Sequence, residues 1–220
     1  MQTLYLNIQI LFFFVFISVF SQNISNESSY KEDQIYFGIT YISLKNNIDN
    51  LKQNGFSRSI FVGFINDLSL NKKGNLALGL GLGYSNDKYI SNLEYSFNES
   101  SNSFRFKVPN EKSDFKNYIR THSFEFPFQF RWRNSSIDTY EFWRIHLGYK
   151  LKYIFYNKFE SIYLKRNKLN DITNFNQSIN LSLGYNTWNI FIEYYLKSIV
   201  ESNDLNQLTP IKFGLIFYLL

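Results

Sequence analysis

The sequence contains no cysteine, and it has little proline, histidine, methionine or glycine. Among its 220 residues there are 0 Cys, 3 Pro, 2 His, 1 Met and 10 Gly. The absence of cysteine excludes disulfides, thiol catalysis and thiolate metal sites, and also the lipid-modified cysteine of a lipoprotein. Because the only histidines are His122 and His146, little is left from which to build a metal site. We expect neither a metal nor another cofactor.

Long apolar runs are also missing, apart from one near the N-terminus. The run Ile8 to Phe20 is shorter than the about 20 residues of a membrane-spanning helix, and polar residues follow it at once. We interpret residues 1–21 as a secretory signal peptide cleaved between Ser21 and Gln22, followed by a polar segment over residues 22–33. Because no Lys or Arg precedes the run, an uncleaved N-terminal anchor stays open as the alternative.

Aromatic residues, by contrast, are abundant. The 24 Phe, 17 Tyr and 3 Trp make up 20% of the chain, a composition that fits pleated strands and argues against disorder. The formal net charge is +5, but the basic residues are scattered among Asp and Glu, and an exported chain rarely meets nucleic acid. We therefore expect no nucleic-acid partner. The length fits one domain, which we place at residues 34–220.

Apolar and polar residues alternate in eight segments, and we predict a strand for each. The segments are Gln34–Ser43, Arg58–Asp67, Asn75–Tyr84, Ser123–Arg133, Trp143–Tyr156, Ser178–Asn186, Trp188–Lys197 and Ile211–Leu219. Short connections such as Leu68–Gly74 take turns with long ones such as Ser85–His122, as in up-and-down outer-membrane barrels. We predict an all-β, up-and-down antiparallel transmembrane barrel of about eight strands. A hairpin formed by Tyr89–Phe97 and Phe104–Val108 would make ten strands possible.

The stretch Ser123–Arg133, SFEFPFQFRWR, has five aromatic side chains on one face and mostly polar or charged ones on the other. Five such positions span about 27 Å of strand, or roughly 20 Å of height at a tilt of about 40°, close to the ~25 Å apolar band of transmembrane barrels. In Asn75–Tyr84 leucines alternate with alanine and glycine, and an alanine–glycine face directed at water would be unusual. We therefore direct the leucines and aromatics to lipid and the glycines to the lumen.

The polar faces then line the lumen, where charges must be paired or hydrated. About eight strands leave an interior that side chains fill, so we predict a salt-bridged plug rather than a porin channel. We expect Glu125 and Glu193 to neutralise Arg131, Lys150 or Lys152. The predicted lumen charge network consists of Glu125, Arg131, His146, Lys150, Lys152 and Glu193, and Gln129, Asn180, Lys197 and Lys212 are placed on the same face.

Several segments carry a family resemblance. FEFPFQFRW (Phe124–Trp132) has a Glu-x-Pro pattern at Glu125 and Pro127, and LALGLGLGYS, IHLGYKLKY and INLSLGYN follow elsewhere in the chain. These segments resemble the PorT-like outer-membrane β-barrel family of Bacteroidota over nearly the whole chain after the signal peptide. The resemblance implies an outer-membrane location, no catalytic residues and, for some members, an accessory role in type IX secretion. The partners it implies are outer-membrane lipid and lipopolysaccharide, the barrel-assembly machinery and secretion-system proteins.

Individual residues allow narrower hypotheses. Pro127 removes a donor from its strand, so we expect a bulge or a locally unpaired neighbour there. His146 would be the general base of an outer-membrane lipid-modifying enzyme, but no Ser or Asp stands at a telling spacing to assist it. In one predicted outer loop, a basic set is a candidate for contact with lipopolysaccharide phosphates, a solvated loop being the alternative. The set consists of Lys158, Lys165, Arg166 and Lys168.

We interpret the protein as a non-enzymatic outer-membrane barrel that serves as a membrane anchor, a surface-binding module or a secretion accessory. A soluble secreted carrier barrel of lipocalin type and an outer-membrane lipid-modifying enzyme are the alternatives. An even number of strands after an export signal predicts that both ends of the mature chain face the periplasm and that the long connections face outward.

Overall fold

The computed structural model of the protein describes residues 33–45, 49–99, 102–110, 114–134, 143–200, 205 and 208–219. The predicted signal peptide and the polar segment after it, up to residue 32, lie outside these residues. So does most of the predicted connection Asn134–Phe142. In the described part, no helix is long and apolar enough to cross a membrane.

The described residues form strands almost throughout. In chain order the strands are β1 Gln34–Lys45, β2 Arg58–Ser69, β3 Leu76–Ser91, β4 Glu94–Asn98, β5 Ser103–Lys107, β6 Asn117–Arg133, β7 Trp143–Glu160, β8 Lys165–Asn167, β9 Phe175–Tyr185, β10 Trp188–Tyr195 and β11 Thr209–Leu219. Eight of them close a barrel in the order β1, β2, β3, β6, β7, β9, β10, β11, with β11 returning to β1. Each neighbouring pair is antiparallel. The predicted eight-stranded antiparallel barrel is confirmed.

The remaining three strands lie outside the barrel wall. β4 and β5 pair with each other as a separate hairpin, and β8 pairs only with the last residues of β7. A hairpin therefore exists close to the predicted place, but its first strand begins at Glu94 and not at Tyr89, which belongs to β3, and the hairpin does not enlarge the barrel to ten strands. Because β1 begins opposite the end of β11, with Ile35 facing Leu219, both ends of the barrel lie on one side. We call this side the turn end and the opposite side, which carries β4, β5 and β8, the loop end.

Three barrel strands project further at the loop end than the sequence predicted. β3 continues to Ser91, β6 begins at Asn117 and β7 continues to Glu160. The physical reason is that the outward apolar face ends there. The outward residues of the extensions are mostly polar, and the inward ones mix apolar Tyr89 and Phe159 with polar Asp87, so a search for one apolar face ends too early. β10, in contrast, ends at Tyr195, and the predicted lumen position of Lys197 is wrong because that side chain is exposed beyond the strand.

The middle of the barrel has its apolar side chains outside and its polar ones inside. On β6 the outward Phe124, Phe126, Phe128, Phe130 and Trp132 are 45, 42, 45, 46 and 37% exposed. On the same strand Glu125, Gln129 and Arg131 are 0, 5 and 0% exposed. Outward apolar side chains continue on the other barrel strands. In water this arrangement would be unstable, because a wide apolar belt would face the solvent while charges were buried; in lipid it satisfies both sides.

Glycines on the inner wall, where the sequence placed those of β3, make room for two large side chains. A Cβ added to Gly83 would lie 2.1 Å from the Tyr36 hydroxyl oxygen, and one added to Gly63 would lie 2.4 Å from it. A Cβ at Gly79 would lie 2.9 Å from Cδ of Arg131. Bare positions on β2 and β3 therefore seat Tyr36 and Arg131 inside a barrel that would otherwise be too narrow for them.

Pro127 interrupts the pairing of its strand on one side. The register between β3 and β6 passes from Leu80 opposite Phe128 directly to Gly83 opposite Glu125. On the other side Pro127 stays paired with Lys150 of β7. The expectation of a locally unpaired neighbour is confirmed, and the reason is the missing N–H of proline.

The loop end is filled by an apolar cluster that we call the cap. It combines side chains from the projecting strands with others from the connections above them. Its buried members are Ile42, Leu44, Tyr89, Leu93, Tyr95, Phe106, Ile119, Ile154, Phe159, Leu169, Ile172, Tyr195, Ile199, Val200, Leu205 and Leu208. This part of the molecule is built like a water-soluble domain, with its apolar residues inside.

Candidate functional site

Lysines and carboxylates form a closed ring of contacts across the lumen, which we call the lumen ring. From each lysine Nζ to a carboxylate oxygen, the distances are Glu125–Lys150 2.9 Å, Lys150–Glu193 3.2 Å, Glu193–Lys212 3.9 Å, Lys212–Asp87 3.0 Å, Asp87–Lys152 2.6 Å and Lys152–Glu125 3.4 Å. All of these side chains are buried. Each lysine contacts two carboxylates and each carboxylate contacts two lysines, so the charges of the ring cancel.

Neutral side chains add hydrogen bonds to part of the ring. The Ser178 hydroxyl donates to Glu193 at 2.6 Å, and the Ser59 hydroxyl donates to Asp87 at 2.5 Å. Lys152 donates to the Tyr195 hydroxyl at 2.8 Å, and Tyr195 belongs to the cap. The ring therefore ties most of the barrel strands to one another and to the apolar cluster above it. Buried charges require such satisfaction to be tolerated.

A second group of charges lies nearer the turn end. The carboxylate of Asp67 accepts hydrogen bonds from Arg131 and from Arg133, and Arg131 also donates to the side chain of Gln34. Arg133 Nε donates to the carbonyl of Gly74 at 2.7 Å, in the β2–β3 connection. The partner of Arg131 is thus Asp67. Of the three cations expected to pair with Glu125 and Glu193, the structure shows Lys150 and Lys152 in contact with them and not Arg131.

An aromatic layer separates the two charged groups. Tyr36, Phe61, Ile65, Phe191, Ile216 and Tyr218 form a second buried cluster. Lys150 Nζ lies 4.9 Å from the centre of the Phe61 ring, and the Arg131 guanidinium lies 5.3 Å from that of Tyr218. Cations over ring faces are favourable, more so when desolvated. The lumen is thus filled from the turn end to the cap by alternating charged and apolar layers.

His146 is buried in this interior without the surroundings of a general base. Its ring packs edge-on against Tyr218 at 4.9 Å between ring centroids, and it lies opposite Arg131 in the β6–β7 register. Within the described residues its Nδ1 has no hydrogen-bond partner. A base needs a group that orients it and a route for substrate. The described lumen gives His146 neither.

The loop-end basic residues proposed from the sequence do not form one patch. Lys158 is on β7 and Lys165 on β8, and their Nζ atoms lie 3.4 and 3.7 Å from the same carboxylate oxygen of Glu160. Arg166 lies opposite Phe159 in the register, on the other face, and its guanidinium is 3.8 Å from the centre of the Phe104 ring. Lys168 lies just after the end of β8 and has a positive φ of 57°. The structure brings together Lys158 and Lys165 only.

The comparison with protein families decides the class of this barrel. A family model described as "Outer membrane protein beta-barrel domain" matches residues 20–217. The chain belongs to this family. It is accordingly an outer-membrane β-barrel protein, located in the cell outer membrane, and the apolar belt is its lipid-facing surface.

Solved structures and curated proteins add little to this assignment. The chain is similar to a solved structure of the Yersinia pestis outer membrane protein Ail in a phospholipid bilayer nanodisc. That match has 12% identity, covers 86% of this chain and 100% of the other, and has a TM-score of 0.33. No curated protein matches the sequence.

Sequence reasoning missed several members of the lumen groups. Asp87 lies in the part of β3 beyond its predicted end, and Asp67 and Arg133 lie at strand ends that were predicted but not assigned a partner. Lys212 was placed in the lumen but not in the charge network. Asp87 is four residues after Gly83 and therefore on the same, inward face of the strand. This spacing could have placed Asp87 in the lumen. In the described part of the outer-membrane barrel, no cluster of His, Asp and Glu has the makings of a metal site.

Proposed function

We propose that this outer-membrane barrel is a non-enzymatic anchor that presents its cap as a binding module at the cell surface. The observation that supports this most is the filling of the interior: the lumen ring closes the middle of the barrel and the cap closes its loop end. A barrel so filled favours neither transport nor catalysis. The outer surface of the cap is the part that other molecules can meet.

The cap carries exposed apolar side chains that its own core does not use. Phe97, at the tip of the β4–β5 hairpin, is 51% exposed, and Ile162 and Tyr163, between β7 and β8, are 75 and 89% exposed. Beside Ile162 and Tyr163 is a cavity of about 290 Å³ that also reaches Tyr95 and Phe159. Burial raises the pKa of the Tyr95 hydroxyl, and the Asp171 carboxylate raises it further. Exposed aromatic and apolar side chains beside a cavity are typical of binding surfaces.

The orientation belongs to the same proposal. We place the loop end outside the cell and the turn end in the periplasm, because outer-membrane barrels have short periplasmic turns and longer extracellular loops. The lipid belt then contacts outer-membrane lipid and lipopolysaccharide. The barrel-assembly machinery is the expected partner during insertion.

A more specific form of this proposal is that the partner of the cap belongs to a secretion system. The Glu-x-Pro strand, with Glu125 and Pro127, resembles the PorT-like proteins of Bacteroidota, and this supports a secretion-system protein as the partner of the cap. Glu125 and Pro127 are both buried in the lumen, so their role in this version is to shape the barrel and not to touch the partner.

The test uses a photo-crosslinking residue at Tyr163 in cells, with the same residue at Leu70, exposed at the turn end, as control. We expect a discrete cross-linked protein at Tyr163, absent at Leu70, and lost when Ile162→Ser is added. An absence of cross-linked protein at Tyr163 would contradict the binding module. A second arm incubates purified barrel with lipopolysaccharide and phospholipid and examines both by mass spectrometry; loss of an acyl chain would establish an enzyme instead.

A further inference from the structure

A row of cations crosses neighbouring strands on the outer surface. In the strand registers Arg58 of β2 lies opposite Lys88 of β3, Lys88 opposite Arg120 of β6, and Arg120 opposite Lys158 of β7. All four side chains point outward, since the residues on either side of each are buried along its strand. We call these residues the cation row. At about 4.8 Å between strands the row is roughly 14 Å long.

Such a row is unfavourable for folding unless something neutralises it. Like charges directly opposite one another across strands are destabilising. Among the described residues, the carboxylate that contacts the row is Glu160, at 3.4 Å from Lys158. Lys88 additionally lies 4.3 Å from the centre of the Tyr118 ring. One carboxylate, which also contacts Lys165, leaves the row with a net positive charge.

A concave site adjoins the row at a β-bulge. The pairing of β6 with β7 shifts between His122 and Ser123, so that Phe155 is the extra residue on β7. Phe155 and Tyr156 are therefore both exposed, at 48 and 36%. They line, with Arg120, His122 and Lys158, a cavity of about 410 Å³. Bulges recur where a strand must re-aim side chains at a site.

The site has an apolar floor that is continuous with the lipid belt. The Phe155 ring lies 4.7 Å from that of Phe124 and 6.4 Å from that of Tyr84, measured between centroids. Phe124 is the first of the belt aromatics on β6, and Arg120 precedes it by four residues, which is about 13 Å of strand or roughly 10 Å of height. The headgroup layer on each side of the apolar core is about 5–8 Å thick. Long cationic side chains therefore reach the headgroup phosphates from this position.

We propose that the cation row binds the phosphates of a lipopolysaccharide molecule, with an acyl chain lying over Phe124 and Phe155. Phosphate oxygens accept charge-assisted hydrogen bonds from Arg and Lys. A row of this length engages more than one anionic group, which favours lipopolysaccharide over a phospholipid with a single phosphate. The proposal rests on the proposed orientation, with the loop end outside, and it gives the barrel a lipid site below the cap. It shares only Lys158 with the basic set chosen from the sequence.

The test measures binding of purified barrel to phosphorylated lipid A by native mass spectrometry. The variant Lys88→Gln/Arg120→Gln removes the centre of the row. Its matched control is Lys107→Gln/Lys168→Gln, which removes two exposed loop-end lysines outside the row. We expect the row variant to bind lipid A about tenfold more weakly, because charge-assisted bonds are lost, and the control to bind like the unaltered protein. Arg120→Lys, which keeps the charge, should fall between them.

Further probes separate the sources of the anion. Dephosphorylated lipid A should bind weakly to the unaltered protein. Equal binding of lipid A to the row variant and the unaltered protein would overturn the proposal, as would binding of inorganic phosphate or phosphatidylglycerol as tight as that of lipid A. Heat-modifiable migration on gels checks that each variant is folded. Cross-linking from Tyr163 should be unchanged in the row variant, so a failure of the lipid site and a failure of the binding module are distinguishable.

Discussion

Lys152 Nζ lies 2.6 Å from Asp87 Oδ2, and both side chains are buried. The two residues are on β7 and β3, which are not neighbours, because β6 lies between them in the barrel. This ion pair therefore crosses the lumen and is not part of the wall. Because this pair belongs to the lumen ring, removing any one charge of the ring should destabilise the barrel.

Glu125→Gln should destabilise the barrel strongly. Glu125 contacts both Lys150 and Lys152, so its loss leaves the ring with a buried excess of positive charge. Breaking a buried ion pair by removing one partner costs about 3–5 kcal/mol. Urea unfolding in lipid vesicles measures the free energy of unfolding of the variant and of the unaltered protein. Lys150→Met added to Glu125→Gln should recover part of the loss in a double-mutant cycle; a single variant as stable as the unaltered protein would mean that the lumen is wet enough to screen these charges.

Phe128→Arg should lower the free energy of unfolding much more than His122→Arg does. Both residues point outward on β6, but Phe128 lies in the middle of the lipid belt and His122 lies beyond its edge. An arginine at the bilayer midplane costs about 2–4 kcal/mol, and one near the interface about 0–1. The same unfolding measurement compares the two. Equal losses would show that the belt does not end where we place it.

Gly83→Ala should create a clash that Tyr36→Phe relieves. The added Cβ would meet the Tyr36 hydroxyl oxygen at 2.1 Å, whereas Cζ of the same ring lies 3.1 Å away. Overpacking of this kind costs about 1–3 kcal/mol. We expect Gly83→Ala to lower the free energy of unfolding and the pair with Tyr36→Phe to regain much of it. If the second change has no effect, Tyr36 does not occupy the space above Gly83.

Cysteine labelling tests the orientation, since the sequence has no native thiol. Ser96 of β4 is exposed at the loop end and Lys73 is exposed at the turn end. In intact cells a membrane-impermeant maleimide should label Ser96→Cys, and it should label Lys73→Cys only after the outer membrane is permeabilised. The reverse pattern would invert the barrel. Labelling of both in intact cells would show that no membrane separates them.

The barrel could be predicted from sequence because lipid imposes a one-sided pattern. In Ser123–Arg133 every second side chain is aromatic, and the structure turns all five of these aromatics outward. The strand extensions were not predicted because their outward face is no longer apolar, as at Lys88, while their inward face carries both polar Asp87 and apolar Tyr89. A search that follows one apolar face stops where the surrounding solvent changes from lipid to water.

The partners inside the lumen could not be predicted for a different reason. Alternation tells which residues face inward, but the height of each along the barrel depends on the stagger of all the strands. Arg131 of β6 thus meets Asp67 of β2, with β3 between them, while Glu125, six residues away, meets lysines of β7. The cation row has the same origin, since four basic residues scattered over a hundred positions align only through the registers.

Conductance of the purified barrel in planar lipid bilayers shows whether the lumen is filled. Because the lumen ring and the cap fill the interior, we expect no steady current beyond that of the bare membrane at any applied voltage that the membrane withstands. The matched variant Lys150→Ala/Glu125→Ala, which empties part of the ring, should give small or intermittent currents if the cap still holds. Stable channels of porin size in the unaltered protein would contradict the filled barrel.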